Sequence, residues 1–348
     1  MVKEENKKEI FDTFAYLRFP LILGVVLIHN SFAEPAQLLA SNSLSMRVIF
    51  LFSYGLSLPC VPLFFCISGT LFFRNNHEQY NWADFLVKLR KRVKSLLIPY
   101  VFWNLLIMGL FALAHIVAPP TVINPEFNNV LQYSTIDFIR SFWDYPGGFP
   151  ICFQLWFVRD LMLAVLVSPI LFYVINRMGI LWVCILTAVF CYNPHLYFGE
   201  DCLTFFSIGA WLSIKEIDVM HYLKKIAIPL TLIWMVTLVQ QNMGIDMEGL
   251  LRLTGAGVYL LVAWFITHKG CCMPSVLTES SFFVYCFHAF PLMIIGKGLY
   301  GLVGYSDGPV RLLWYMVTLT VILLLSIGLY VLLKKITPKF CSVITGGR

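Results

Sequence analysis

The chain has 348 residues, of which 59% are hydrophobic and only 13% charged, with a mean hydropathy of +0.78. That much apolar surface exceeds what one soluble core can hide, so an ordinary globular domain is excluded and lipid is the expected solvent. The formal charge of +6 comes from short basic clusters between apolar runs; this is the pattern of membrane orientation, and no nucleic-acid partner is expected.

At about 20 apolar residues per span, the sequence predicts helices over 11–32, 47–73, 96–118, 151–173, 180–193, 202–214, 226–242, 250–267, 280–300 and 310–333. The expected fold is an all-α polytopic bundle of about ten transmembrane helices, a single membrane domain over 1–348 in which the fifth and sixth spans are short. Lys3, Lys7 and Lys8 precede the first span, which closes on Ser31-Phe32-Ala33, and this pattern can also be read as a cleaved leader. An arginine and a histidine inside the stretch favour a retained helix, because ionisable groups are expensive in lipid and usually functional there.

Of the 25 Lys and Arg residues, 18 lie in 1–10, 74–95, 174–179, 215–225, 268–279 and 334–348, which places those segments and both termini on the cytosolic side. Segment 82–95 interleaves Trp82, Phe85, Leu86 and Leu89 with Lys88, Arg90, Lys91, Arg92 and Lys94, and is expected to lie on the inner membrane surface. Segment 119–150 is too long for a simple turn. It carries Phe138, Phe142, Trp143 and Tyr145, and is expected to cap the outer mouth of the bundle. The ten cysteines sit mostly in apolar runs as small hydrophobes. Cys271 and Cys272 have neither a histidine pair nor a second CxxC beside them, so no metal is expected.

Arg18 and His29 stand eleven positions apart on the first span, which puts them about 20° apart in rotation and about 16.5 Å apart along one helix face. Pro20 between them is a candidate bend. An imidazole there suits a general base, since it titrates near neutrality; a guanidinium suits a phosphate or a developing negative charge. The run Arg90-Lys91-Arg92-Val93-Lys94 reads both as a positive-inside anchor and as a cradle for the phosphates of coenzyme A. On the fourth span Arg159 and Asp160 are adjacent, so their side chains diverge by about 100° and a partner on another helix is expected. His288 precedes Pro291 on the ninth span, where backbone groups can open. His115, His195 and His221 fall near span ends and read as interfacial.

These residues form an ordered pattern: Arg18 and His29 with ten residues between them, Val61-Pro62-Leu63-Phe64-Phe65-Cys66-Ile67-Ser68-Gly69, the basic stretch ending Leu96-Leu97-Ile98-Pro99-Tyr100, Leu155-Trp156-Phe157, and Tyr285 with His288. The pattern resembles the acyltransferase 3 family of integral membrane acyltransferases. The resemblance implies a ten-helix enzyme of a bacterial cytoplasmic membrane. Its donor would be cytosolic acyl-CoA, most often acetyl-CoA, and its acceptor a hydroxyl of a carbohydrate or glycan precursor. It maps catalysis to His29 with Arg18; CoA contacts are expected at Arg90, Lys91, Arg92 and Lys94, and supporting roles at Trp156, Arg159, Asp160, Tyr285 and His288. One departure is that similar proteins often carry two arginines three apart in the cytosolic loop, whereas Ser95 follows Arg92 at that spacing. The alternative from another class is a secondary transporter whose path His29, Arg159, Asp160 and His288 would line; its usual repeated halves are not visible in the hydropathy.

Overall fold

A computed structural model describes residues 2–41, 43–74, 80–117, 129–144, 148–194, 199–303 and 308–347, which hold helices and no strand. Tyr145 and His195 lie outside the described residues, as do parts of segments 74–95 and 119–150. In chain order the helices are α1 (Val2–His29), α2 (Pro35–Ala40), α3 (Leu44–Leu51), α4 (Cys60–Phe72), α5 (Trp82–Arg92), α6 (Ile98–Val117), α7 (Thr135–Arg140) and α8 (Trp156–Met178). There follow α9 (Ile180–Tyr192), α10 (Glu200–Ile214), α11 (Val219–Lys225), α12 (Ala227–Asn242), α13 (Glu248–His268), α14 (Ser275–Phe287), α15 (Ala289–Val303), α16 (Pro309–Ile336) and α17 (Pro338–Ile344).

Among the described residues, six helical stretches are long and apolar enough to cross a bilayer: Lys8–His29, Leu44–Phe72, Trp82–Val117, Phe153–Met178, Glu248–His268 and Pro309–Ile336. The number rises to eight if the bent pairs α11 with α12 (75°) and α14 with α15 (62°) each make one span. The chain is thus an integral membrane protein. The expected ten spans would also require α9 and α10, whose 13 and 15 residues rise only about 20 Å each against a hydrocarbon core of about 30 Å.

Two boundaries differ from expectation in an informative way. The helix expected over 280–300 is broken at His288. Pro291 has no N–H to offer the carbonyl four residues back, and its ring clashes with that carbonyl, so the helix gives way at the preceding turn. Segment 82–95 runs through a π-turn at Val93–Leu97 into α6, making one 36-residue helix from Trp82 to Val117.

The chain forms two compact units, Met1–Trp82 with Val167–Leu329, and Ala83–Leu166 with Tyr330–Arg348. In the first, α1 packs against α4, α13 and α14, burying Leu17, Leu21, Val25 and Val26. Helices α4 and α10 meet backbone to backbone. A Cβ on Gly69 would collide with the Phe206 carbonyl oxygen, and one on Gly209 with that of Cys66. Small residues of this kind let membrane helices associate by close packing where lipid supplies no hydrophobic drive.

In the second unit α6 is the organising element. The Tyr100 hydroxyl donates to the Phe142 carbonyl, and Asn104 Oδ1 accepts from the Cys152 amide at 3.1 Å. Trp103 Nε1 donates to the Ile344 carbonyl at 3.0 Å, fixing α17. Helix α7 begins with a capping box in which the Ser134 hydroxyl and amide hydrogen-bond Asp137. Those bonds hold the Asp137 carboxyl below the usual carboxylate range.

Candidate functional site

His29 is the last residue of α1, and the chain turns immediately after it. Asn30 Nδ2 donates to the Tyr315 carbonyl on α16 at 2.7 Å, tying the turn to that helix. The Tyr315 hydroxyl shares a 2.9 Å hydrogen bond with Ser53. Phe32 adopts φ +47°, in the left-handed region that bulky residues avoid. Packing holds it there: its ring lies so close against Gly296 on α15 that a Cβ at that position would overlap it. The end of α1 is therefore fixed on several sides.

The break between α14 and α15 brings a second imidazole to this place. The His29 and His288 rings stack with centroids 5.5 Å apart and planes 29° apart. His29 is partly exposed, whereas His288 is fully buried. Nδ1 of His288 lies 2.8 Å from the Tyr285 carbonyl and 3.1 Å from that of Val284. The Tyr285 ring sits 6.5 Å from the His288 ring. His29 and the pair Tyr285 with His288, two separate motifs in the sequence, thus form one cluster.

Arg18 shares α1 with His29, and the helix continues through Pro20 without a break. Its side chain is exposed, about 16.5 Å below His29 along the helix. Arg90, Lys91 and Lys94 are exposed and Arg92 is partly buried, all in the second unit. A cavity of about 210 Å³ opens beside the N-terminal part of α1, away from the imidazoles. Phe11, Phe14 and Thr70 line it, with Arg74, Glu216 and Asp218 as its charged members.

Arg159 and Asp160, whose side chains need not meet on a helix, also partner each other. The two side chains do bond to each other, Nε to Oδ1 at 2.8 Å, and both are almost fully buried. The Arg159 Nη1 also donates to the carbonyls of Trp143 at 2.5 Å and Gly148 at 2.7 Å. Neighbours on a helix diverge, but the long arginine stem near the start of α8 can curl back, and burial strongly rewards a charge that finds all its partners. Arg159 consequently pins the segment before α8. Trp156 is partly exposed at the first position of α8.

Sequence reasoning missed Asn30, Ser53 and Tyr315, which fix the end of α1. The available signal was a stripe on α16: Arg311, Tyr315, Thr318 and Ile322 recur at helical spacing and are all buried.

Residues 12–331 match the acyltransferase 3 family model, described as an acyltransferase domain. Among characterised proteins, the chain is similar to the succinoglycan biosynthesis protein ExoH of Rhizobium meliloti (strain 1021). The two are 23% identical over 355 aligned residues, covering 95% of this chain and 91% of that protein. No solved structure matches the chain. With nearly its whole length accounted for by one family model, this chain belongs to the acyltransferase 3 family of membrane acyltransferases.

Proposed function

We propose that the protein is a membrane O-acyltransferase. It moves an acyl group, acetyl being the expected one, from cytosolic acyl-CoA to a hydroxyl of a glycan or glycan precursor at the bacterial cytoplasmic membrane. The observation that carries this reading is the meeting of His29 and His288 at a helix break in a chain of acyltransferase family. The relative named for succinoglycan biosynthesis supports a polysaccharide acceptor.

In this reading the hydroxyl oxygen becomes bonded to the acyl carbon, the carbon–sulfur bond breaks, and the hydroxyl proton ends on the departing CoA thiol. His29 is the imidazole that makes this possible at neutral pH, as base or as acyl carrier. Its partial exposure lets a slender thioester arm reach it. Arg18 and the basic residues Arg90, Lys91, Arg92 and Lys94 meet the anionic part of CoA. Arginine does so through a bidentate fork, and lysine as a point charge. The exposure of most of these side chains and the cavity at the N-terminal part of α1 favour donor entry from the side assigned to the cytosol. Within its own unit, Arg159 with Asp160 fixes the segment before α8, which Trp156 opens, and Tyr285 packs beside His288; supporting roles are assigned to them on that basis.

The test is mass spectrometry of surface glycans from the source strain, from a deletion strain, and from the deletion strain carrying wild type or His29→Ala. Deletion removes an acyl substituent, wild type restores it, and His29→Ala does not, since acid–base groups of this kind contribute about 10²- to 10⁴-fold. Glycan acylation that is unchanged by deletion would overturn the reading.

A further inference from the structure

The proposed activity gives His288, buried beside His29, no chemical step of its own. Nδ1 of His288 faces two backbone carbonyls, at 2.8 and 3.1 Å, and carbonyls only accept. The ring hydrogen must therefore sit on Nδ1 in the neutral imidazole, leaving the Nε2 lone pair as an acceptor. Nε2 is buried and has no hydrogen-bond partner among the described residues. An unpaired buried acceptor is a standing cost to the fold, and packing alone would be served as well by an apolar side chain. The residue sits where a spanning helix breaks and turns by 62°, the kind of place where membrane proteins line substrate paths.

The second observation is the arrangement of the rings. His29 and His288 are stacked, with centroids 5.5 Å apart and planes 29° apart. An acyl group on a ring nitrogen of His29 is conjugated with that ring and lies in its plane, so a nucleophile must approach the acyl carbon along the normal to the plane. His288 stands on that side. A hydroxyl that approaches the acyl carbon from the His288 face comes beside the ring whose edge carries Nε2.

We infer that the two imidazoles divide the transfer, His29 carrying the acyl group and His288 Nε2 taking the proton of the acceptor hydroxyl. This rests on the acyltransferase reading above. In the first half, a His29 ring nitrogen bonds to the thioester carbon, the carbon–sulfur bond breaks, and CoA leaves as the thiol with the proton that His29 gives up. In the second half, the hydroxyl oxygen bonds to the acyl carbon and its proton passes to His288 Nε2. The carbon–nitrogen bond to His29 then breaks, and the proton held by His288 returns the His29 ring to its neutral form. The sum is an ester and free CoA, with no further reactant. A single imidazole could not do both tasks, because once acylated its attacking nitrogen is no longer a base.

The experiment is rapid-quench mixing of purified protein with radiolabelled acetyl-CoA, first alone and then with glycan isolated from the deletion strain. The proteins compared are wild type, His29→Ala, His288→Asn and His288→Gln. Asn keeps a donor for the two carbonyls while removing Nε2, so it separates the fold from the chemistry; Gln is the second variant, and thermal unfolding in detergent checks both. The expected result is about one CoA released per protein and label on the protein in wild type and both His288 variants. Transfer from labelled protein to glycan should fall by about 100-fold or more in those variants, while His29→Ala releases no CoA. Glycan acylation by wild type with no labelled protein, or wild-type transfer by a folded His288 variant, overturns the division of roles and leaves the acyltransferase reading standing. Wild type that neither releases CoA nor acylates glycan defeats that reading itself.

Discussion

At Arg159 a guanidinium satisfies a neighbouring carboxylate and two backbone carbonyls at once while almost wholly buried. Lysine offers a point charge and no fork, so Arg159→Lys should lose part of this anchoring. Arg159→Ala, which takes the arginine from a buried pair, should cost about 3–5 kcal/mol. Thermal unfolding in detergent and limited proteolysis around 143–150 measure both effects; equal stability of all three proteins would contradict the anchoring role. The same residue shows what can be read from a linear chain. That Arg18, His29, Arg159 and His288 are candidates was legible, because an ionisable group inside an apolar run is expensive. Their partners were not legible. His288 reaches His29, and Asn30 reaches Tyr315, only through helix packing between distant stretches of chain.

Among the helices, hydropathy located the apolar stretches well, since a bilayer demands long runs and backbone groups in lipid must bond within a helix. It could not place the break at His288, because Pro291 acts on the turn before it and the extent of the bend depends on what packs there. Nor could it single out which glycines carry helix contacts. Gly69 and Gly209 each face a backbone carbonyl with no room for a methyl group, and backbone cannot swing aside as a flexible side chain can. Gly69→Ala and Gly209→Ala should each cost about 1–3 kcal/mol by overpacking. Gly109 on α6 has nothing within 4 Å of the point a Cβ would occupy, so Gly109→Ala should be neutral or stabilising by up to about 1 kcal/mol, by helix propensity alone. Thermal midpoints of the three variants in one detergent test the contrast, and a Gly109 variant as damaged as the other two would contradict it.

For the whole molecule, composition made lipid the solvent, and the basic clusters predict an orientation with both termini cytosolic. The transporter alternative drew on intramembrane ionisable residues and helix interruptions, features that carriers and membrane enzymes share. The family match over 12–331 separates the two classes. The proposed activity is passage of an acyl group from a CoA thioester to a glycan hydroxyl through His29. Purified wild-type protein given radiolabelled acetyl-CoA and glycan from the deletion strain should transfer label to the glycan and release CoA in equal amount, with His29→Ala at least about 100-fold slower. Label that stays on CoA in the presence of wild type, or transfer by His29→Ala at the wild-type rate, would contradict it.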